Sequence, residues 1–348
     1  MLNRIDLTPT QLQQILDGLK NVRICVVGDV CLDMYWYADM KRSRISRETP
    51  HFPLPIVREE YLPGGGGNVI NNINTLGVKK LVPVSVIGTD WRGYLLNDWF
   101  QRRAIDATYL FPSDHVITPC YCKPLRRGIS DVVYEDPRLD FENYESLKAE
   151  DENRIIRALE EISGQVDIVT VSDQYSYGVI TSRVRDKLTE LSAKGVTVVV
   201  DSREKVQEYH NVIVKPNEVE AVLAVGGKVT DADRSDEDYA EVARQLFIRN
   251  GKPVVVTLGG RGAIWCDKNG PAFAPAVKQE PPIDSVGAGD TFLSAFSCAM
   301  AAGADGGHAL AFGNLVSGVT VKKIGTTGTA TPKEIVEKYR EDSNEPKF

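Results

Sequence analysis

The sequence predicts an α/β protein with a mainly parallel central sheet. Two observations carry this: short β-branched apolar runs recur along the chain, and helical patterns separate most of them. The first element is a helix, with Thr8 as its cap, Pro9 at the first helical position, and Leu12, Ile15, Leu16 and Leu19 on one face. Strand-like runs follow at 22–27, 81–87, 168–171, 196–200, 212–214 and 254–257. Two segments break the rhythm. Residues 34–62 carry Pro50, Pro53 and Pro55 among aromatic and basic side chains, and residues 107–136 alternate polar and apolar without helical spacing. Together they are expected to build a small strand layer over one edge of the sheet. Residues 341–348 read as a flexible tail, which leaves 1–340 as a single domain.

Composition excludes several classes of function. The chain has 348 residues, 42% of them hydrophobic, and a formal net charge of −7, which opposes a general nucleic-acid surface. No run approaches the roughly 20 apolar residues of a membrane span, and the N-terminus lacks an apolar signal core, so a cytoplasmic protein is expected. Six cysteines without a CxxC pair suggest neither a disulfide framework nor a zinc site.

Ligands of an open parallel sheet bind where strands end and helices begin. Asp29, Asp173, Asp201 and the group Asn217, Glu218 and Glu220 stand at such junctions; each alone would commonly be a helix cap. The most informative stretch is Asp284-Ser285-Val286-Gly287-Ala288-Gly289-Asp290, directly before an apolar helical run. A glycine-rich turn entering a helix can aim the N–H groups of Gly287, Ala288, Gly289 and Asp290 at one anion, with the helix dipole in support. Asp290 at the edge of that hole would act as the base that takes a proton from a hydroxyl attacking a phosphoryl group. Its alternative role is the N-cap of the helix.

This stretch resembles the D-T-x-G-A-G-D signature of the ribokinase-like, or PfkB, family of carbohydrate kinases, with Ser285 where threonine is usual. Pro63-Gly64-Gly65-Gly66-Gly67-Asn68 resembles the family's sugar-binding loop, Lys215-Pro216-Asn217-Glu218-Val219-Glu220 its N-x-x-E motif, and Thr257-Leu258-Gly259-Gly260-Arg261-Gly262 its nucleotide loop. The resemblance implies a three-layer α/β/α domain with a small β-strand lid that often supports a homodimer. It implies ATP and Mg²⁺, and leaves a monovalent cation open. Asn217 and Glu220 would organise magnesium through water. Lys215, Thr257, Gly259, Gly260, Gly262, Asn314 and Ser317 would lie along the nucleotide. Asp29, Asp33, Gly64, Gly65, Asn68 and Asp173 would face a small-molecule sugar or sugar phosphate, with Arg44, Lys123 and Arg138 among the cations available for a phosphate on it. A Walker-type ATPase is disfavoured by the lack of G-x-x-x-x-G-K-[ST], and a Rossmann dehydrogenase by Gly28-Asp29-Val30-Cys31-Leu32-Asp33 in place of G-x-G-x-x-G.

Residues 28–37 and 43–50 look like the start of the D-glycero-β-D-manno-heptose 7-phosphate kinases, and 138–142, 172–178 and 323–326 have counterparts there. Arg47 and Thr49 depart from that pattern, as do Gly66-Gly67 and Asp201-Ser202-Arg203, where D-P-K is typical. Such an enzyme phosphorylates C1 of the heptose 7-phosphate on the way to ADP-heptose and lipopolysaccharide core. The alternatives are a kinase for a pentose, hexose or sugar acid, and a non-catalytic sugar or nucleotide sensor. No H-x-G-H motif is present, so under the heptose reading adenylylation is expected from another protein.

Overall fold

The structure of the protein, a computed structural model, describes residues 2–128, 132–231, 234–325 and 327–343. Positions 129–131 of the second expected lid segment, Thr326, and residues 344–348 of the expected tail lie outside the described residues, whereas Glu341 and Asp342 close the last helix, Pro332–Asp342.

Ten strands form the main sheet in the order Asn3–Arg4, Gly270–Pro275, Gly262–Asp267, Val254–Thr257, Ile213–Val214, Thr197–Ser202, Ile168–Asp173, Arg23–Gly28, Lys80–Gly88 and Tyr109–Ser113. All neighbours are parallel except the hairpin that Gly262–Asp267 makes with the strands on either side of it. Successive residues of one strand enter opposite cores: Ile24 and Val26 pack on one face, Cys25 and Val27 on the other. Burial on both faces explains why these strands read as largely apolar, β-branched runs without polar alternation. Helices Pro9–Leu19, Gly66–Leu76, Trp91–Gln101, Ala288–Ala301, Gly306–Thr320 and Pro332–Asp342 cover the first face. Helices Ala149–Ile162, Ser182–Ala193, Glu218–Ala224 and Asp236–Asn250 cover the second, which completes three layers. Thr8 caps the first helix as expected, accepting from the Gln11 N–H in a capping box.

A second sheet runs Ile56–Gly65, Val30–Asp39, Cys120–Arg127 and Val133–Glu135, and Leu139–Phe141 pairs with Cys120–Arg127. The expected lid segments therefore shift at their edges. Tyr109–Ser113 is the outer strand of the main sheet, parallel to Lys80–Gly88, while the small sheet begins at Val30 and reaches Phe141. The chain crosses between the sheets at Gly28 and Asp29. Gly28 has φ +153, and a Cβ there would stand 2.1 Å from the Ser172 carbonyl oxygen. Gly28→Ala is expected to cost about 3 kcal/mol or more, from overpacking added to backbone strain. An unchanged urea midpoint would contradict this.

Candidate functional site

The helix Ala288–Ala301 starts from Gly287, which has φ +76 and offers no side-chain cap. A Cβ on Gly287 would lie 2.8 Å from Asn68 Nδ2. The turn before it is stapled by Asp284, whose Oδ1 accepts from the Val286 N–H at 3.0 Å and whose Oδ2 accepts from the Gly325 N–H at 2.9 Å. The Ala288 N–H donates to the Ser285 carbonyl at 3.1 Å. That closes one of the four donors expected in the anion hole. The N–H groups of Gly289 and Asp290 have no acceptor among the described residues. Asp290 is not the cap: it is the third helical residue, and its Oδ2 accepts from Asn68 Nδ2 at 2.8 Å. Withdrawal from water pushes the Asp290 carboxyl up to about 7; Asn68 and Lys215 pull it down, whereas Asp201 and Asp33 add to the rise. A carboxylate poised there is suited to general base work near neutrality.

The small sheet brings Asp33 near enough for its charge to act on Asp290. Asp33 is buried, no described group donates a hydrogen bond to it, and burial raises its carboxyl while Lys123 and Arg138 oppose the rise. A Cβ on Gly64 would come within 2.8 Å of Asp33 Oδ2, so the glycine makes room for the carboxylate. Gly65 precedes the helix Gly66–Leu76, which presents Asn68. Lys123 Nζ donates to the Tyr35 hydroxyl at 3.2 Å, and Arg138 grips Asp140 through two bonds of 2.6 and 2.7 Å while lying over the Tyr121 ring. Arg44 stands exposed on the turn between the first two strands of the small sheet and pairs with no described residue.

Two expected acceptor contacts are corrected. Asp29 is buried, and its carboxylate accepts from the backbone N–H groups of Gln174, Tyr175 and Val179 at 2.7, 3.0 and 2.7 Å. It fixes the loop after the strand Ile168–Asp173 and is spent there. Burial, with the Asp173 charge in second place, raises its carboxyl to about 6 against those donors. Asp173 is also enclosed, bonded to Ser202, Tyr209 and Lys205. Both residues hold loops around the site instead of facing an acceptor.

Asp201 stands one residue before the end of the strand Thr197–Ser202, and Lys215 directly follows its neighbour Ile213–Val214. Lys215 is 3% exposed and pairs with Asp201 Oδ2 at 3.1 Å. Burial works against its charge, yet Asp201, Glu220 and Asp290 hold its proton affinity above the ordinary value. Asn217 and Glu220 form a capping box: Asn217 Oδ1 accepts from the Val219 and Glu220 N–H groups, and Glu220 Oε2 accepts from the Asn217 N–H at 2.8 Å. Burial and the Asp201 charge raise the Glu220 carboxyl to about 7. Thr257 bridges to Asn217, and the turn Gly259–Arg261 follows, with open space where a Gly260 Cβ would point. Gly262 lies against the Ala274 carbonyl and serves the hairpin. Asn314 is corrected as well: its amide donates to the Ala274 and Pro275 carbonyls at 2.8 and 3.2 Å, so that group is not free for a base. Ser317 donates to the Ala288 carbonyl at 3.4 Å.

Arg203, which no motif marks, is a further candidate for the site. It is exposed, it pairs with no described residue, and its charge acts on Asp201, Glu220 and Tyr121. The available signal was a basic side chain two residues after a strand-end carboxylate.

The pfkB family carbohydrate kinase profile matches residues 22–334. Bifunctional protein HldE of a Nitratiruptor species is 31% identical over 319 residues, covering 91% of this chain and 65% of that protein. Bifunctional protein HldE of Shewanella baltica is 34% identical over 328 residues, with 92% and 64% covered. The chain thus spans about 65% of the length of these relatives. Among solved structures, ribokinase from Thermotoga maritima superposes with TM-score 0.67 at 20% identity, covering 92% of this chain and 99% of that one. The phosphofructokinase-2 from Escherichia coli in complex with fructose-6-phosphate gives 0.68 at 20% identity, with the same coverage. The fold is ribokinase-like.

Proposed function

The chain belongs to the pfkB family of carbohydrate kinases, and we propose that it phosphorylates C1 of D-glycero-β-D-manno-heptose 7-phosphate from Mg-ATP, in the cytoplasm, on the way to ADP-heptose and lipopolysaccharide core. The observation that carries the reaction is the Asp290 carboxylate beside two unpaired helix N–H groups, within electrostatic reach of an Asp33 to which no described group donates. Support for the acceptor comes from the segments 28–37 and 43–50 and from the 31% and 34% identity to HldE proteins.

The chain's own groups divide the work. Asp33, with its oxygens unspent, accepts hydroxyls of the sugar. Asn68 holds Asp290 Oδ2, which leaves Oδ1 to take the proton of the attacking hydroxyl. The Gly289 and Asp290 N–H groups receive the charge that develops on the transferring group. ATP and Mg²⁺ supply a phosphoryl group whose negative charge is partly neutralised. No group of three or more His, Cys, Asp or Glu among the described residues could hold a metal ion. Asn217 and Glu220, with one Glu220 oxygen outside the capping box, would therefore hold Mg²⁺ through water. Thr257, the turn at Gly259 and Gly260, Ser317 and the unpaired Arg203 would line the nucleotide and its phosphates. Val57, Val133 and Tyr134 are exposed on the small sheet and offer a surface for a homodimer.

The test is ADP release with the heptose 7-phosphate, ribose, fructose and 2-keto-3-deoxygluconate in one panel. Turnover confined to the heptose phosphate supports the proposal. Turnover with another sugar keeps the kinase and discards the pathway. Arg138→Ala is expected to raise KM for the phosphorylated acceptor by roughly tenfold, the scale of one charge-assisted hydrogen bond, with KM for ATP little changed. Equal KM values in variant and parent would clear Arg138 of phosphate recognition.

A further inference from the structure

We infer that Asn72, held by Thr291, is a positioning residue that fixes which end of the Asn68 amide faces the base Asp290. The inference rests on the reading of Asp290 given above. Asn68 and Asn72 lie one turn apart on the helix Gly66–Leu76, and Thr291 follows Asp290 on the helix Ala288–Ala301. Asn68, Asn72 and Thr291 are each at most 2% exposed, so water cannot substitute for a missing partner.

The hydrogen bonds run in one sense. Asn72 Nδ2 donates to the Asn68 main-chain carbonyl at 3.0 Å. A carbonyl oxygen only accepts, so the nitrogen end of the Asn72 amide must face it. Asn72 Oδ1 then points the other way, where it accepts from the Thr291 hydroxyl at 3.1 Å. The same Asn72 Nδ2 also reaches Asn68 Oδ1 at 3.1 Å, which leaves Asn68 Nδ2 to donate to Asp290 Oδ2 at 2.8 Å. Every orientation follows from the one main-chain carbonyl.

A reversed Asn68 amide would set an oxygen against the Asp290 carboxylate. The base would lose a donor to its charged form, gain a repelling dipole, and hold its proton more tightly. The titratable groups that also act on Asp290 are Asp201 and Lys215 from the ends of neighbouring strands, and Asp33 and the Cys31 thiol from the small sheet. The relay touches none of them. Its effect on the base is thus separable from theirs.

The test uses Asn72→Leu and the near-isosteric Thr291→Val, with Thr291→Ser as the conservative control. Carbon-13 NMR of the Asp290 carboxyl in ligand-free protein, assigned by its loss in Asp290→Asn, should show titration moved to higher pH in Asn72→Leu, and in the same direction but less in Thr291→Val. Thr291→Ser should restore most of the parent curve. In turnover, Asn72→Leu should lower kcat by roughly tenfold, the scale of one buried hydrogen bond, and move the acid limb of the pH–rate profile upward with little change in KM for ATP. Unmoved Asp290 titration in both Asn72→Leu and Thr291→Val would overturn the inference. Should Asn72→Leu fail to fold, Thr291→Val decides alone. Full turnover in Asp290→Asn would instead remove the base, a separate failure that leaves the NMR result standing.

Discussion

Asp290→Asn is expected to lower turnover by about 10²–10⁴-fold, the usual contribution of a positioned general base, while ATP affinity stays within a few-fold of the parent. An amide at this position still accepts from Asn68 Nδ2 and keeps the N–H groups of the helix end, so only the proton acceptor is lost. The same variant makes a second, opposite prediction for stability. In the fold the Asp290 carboxyl is raised from 3.8 to about 7. A raised value means that the protonated form favours folding; this stability is present below about 4 and is lost as pH rises through about 7. Asn carries no such loss. The variant should therefore melt higher than the parent at about pH 8 and show no such gain at about pH 4. Turnover would be read as ADP release under saturating acceptor, and melting by calorimetry. Undiminished turnover would remove Asp290 from the chemistry; a melting difference independent of pH would show that its charge is not strained.

The parallel strands and the glycine-rich turn were legible because their cause is local. Both faces of each strand are buried, so the runs at 168–171 and 254–257 are β-branched throughout, with Thr170 and Thr257 their only polar members, and Gly287 is needed wherever the chain enters that helix with φ +76. What escaped depends on neighbours far away in sequence. Gly262–Asp267 and Gly270–Pro275 pair as a hairpin through a short polar turn, with no β-branched run to announce the second strand. Asp29 and Asp33 look alike in Gly28-Asp29-Val30-Cys31-Leu32-Asp33, yet one is consumed by the backbone of residues 174–179, about 145 positions on, and the other is left without a donor. Asn314 is likewise claimed by carbonyls of a strand 40 residues earlier. Residue type and spacing place a polar group at a junction, but only the fold decides whether its hydrogen bonds are already spent.

Lys215 illustrates the same point with a larger stake. Its motif suggests a nucleotide contact, but the side chain is enclosed against Asp201 at 3.1 Å. Lys215→Met should leave Asp201 buried without its partner and cost about 3–5 kcal/mol, the range for breaking a buried pair from one side. The deficit should depend on pH in a defined direction. Burial already raises the Asp201 carboxyl against the pull of Lys215, and the Glu220 carboxyl nearby stands at about 7. Without the lysine both would rise further. Protonation relieves the unpaired charge, so the loss should be greater at about pH 8 than at about pH 5. Urea unfolding at the two pH values measures this, and equal deficits would mean that lost packing, not charge, is responsible. The double change Lys215→Met with Asp201→Leu removes both charges and should recover much of the stability, because an apolar pair of similar volume is tolerated where an isolated ion is not. That variant also separates two roles for the lysine. If Lys215 serves the ion pair alone, the refolded double variant binds ATP as the parent does; a lasting loss of ATP affinity would show that Lys215 turns toward the nucleotide when it is bound.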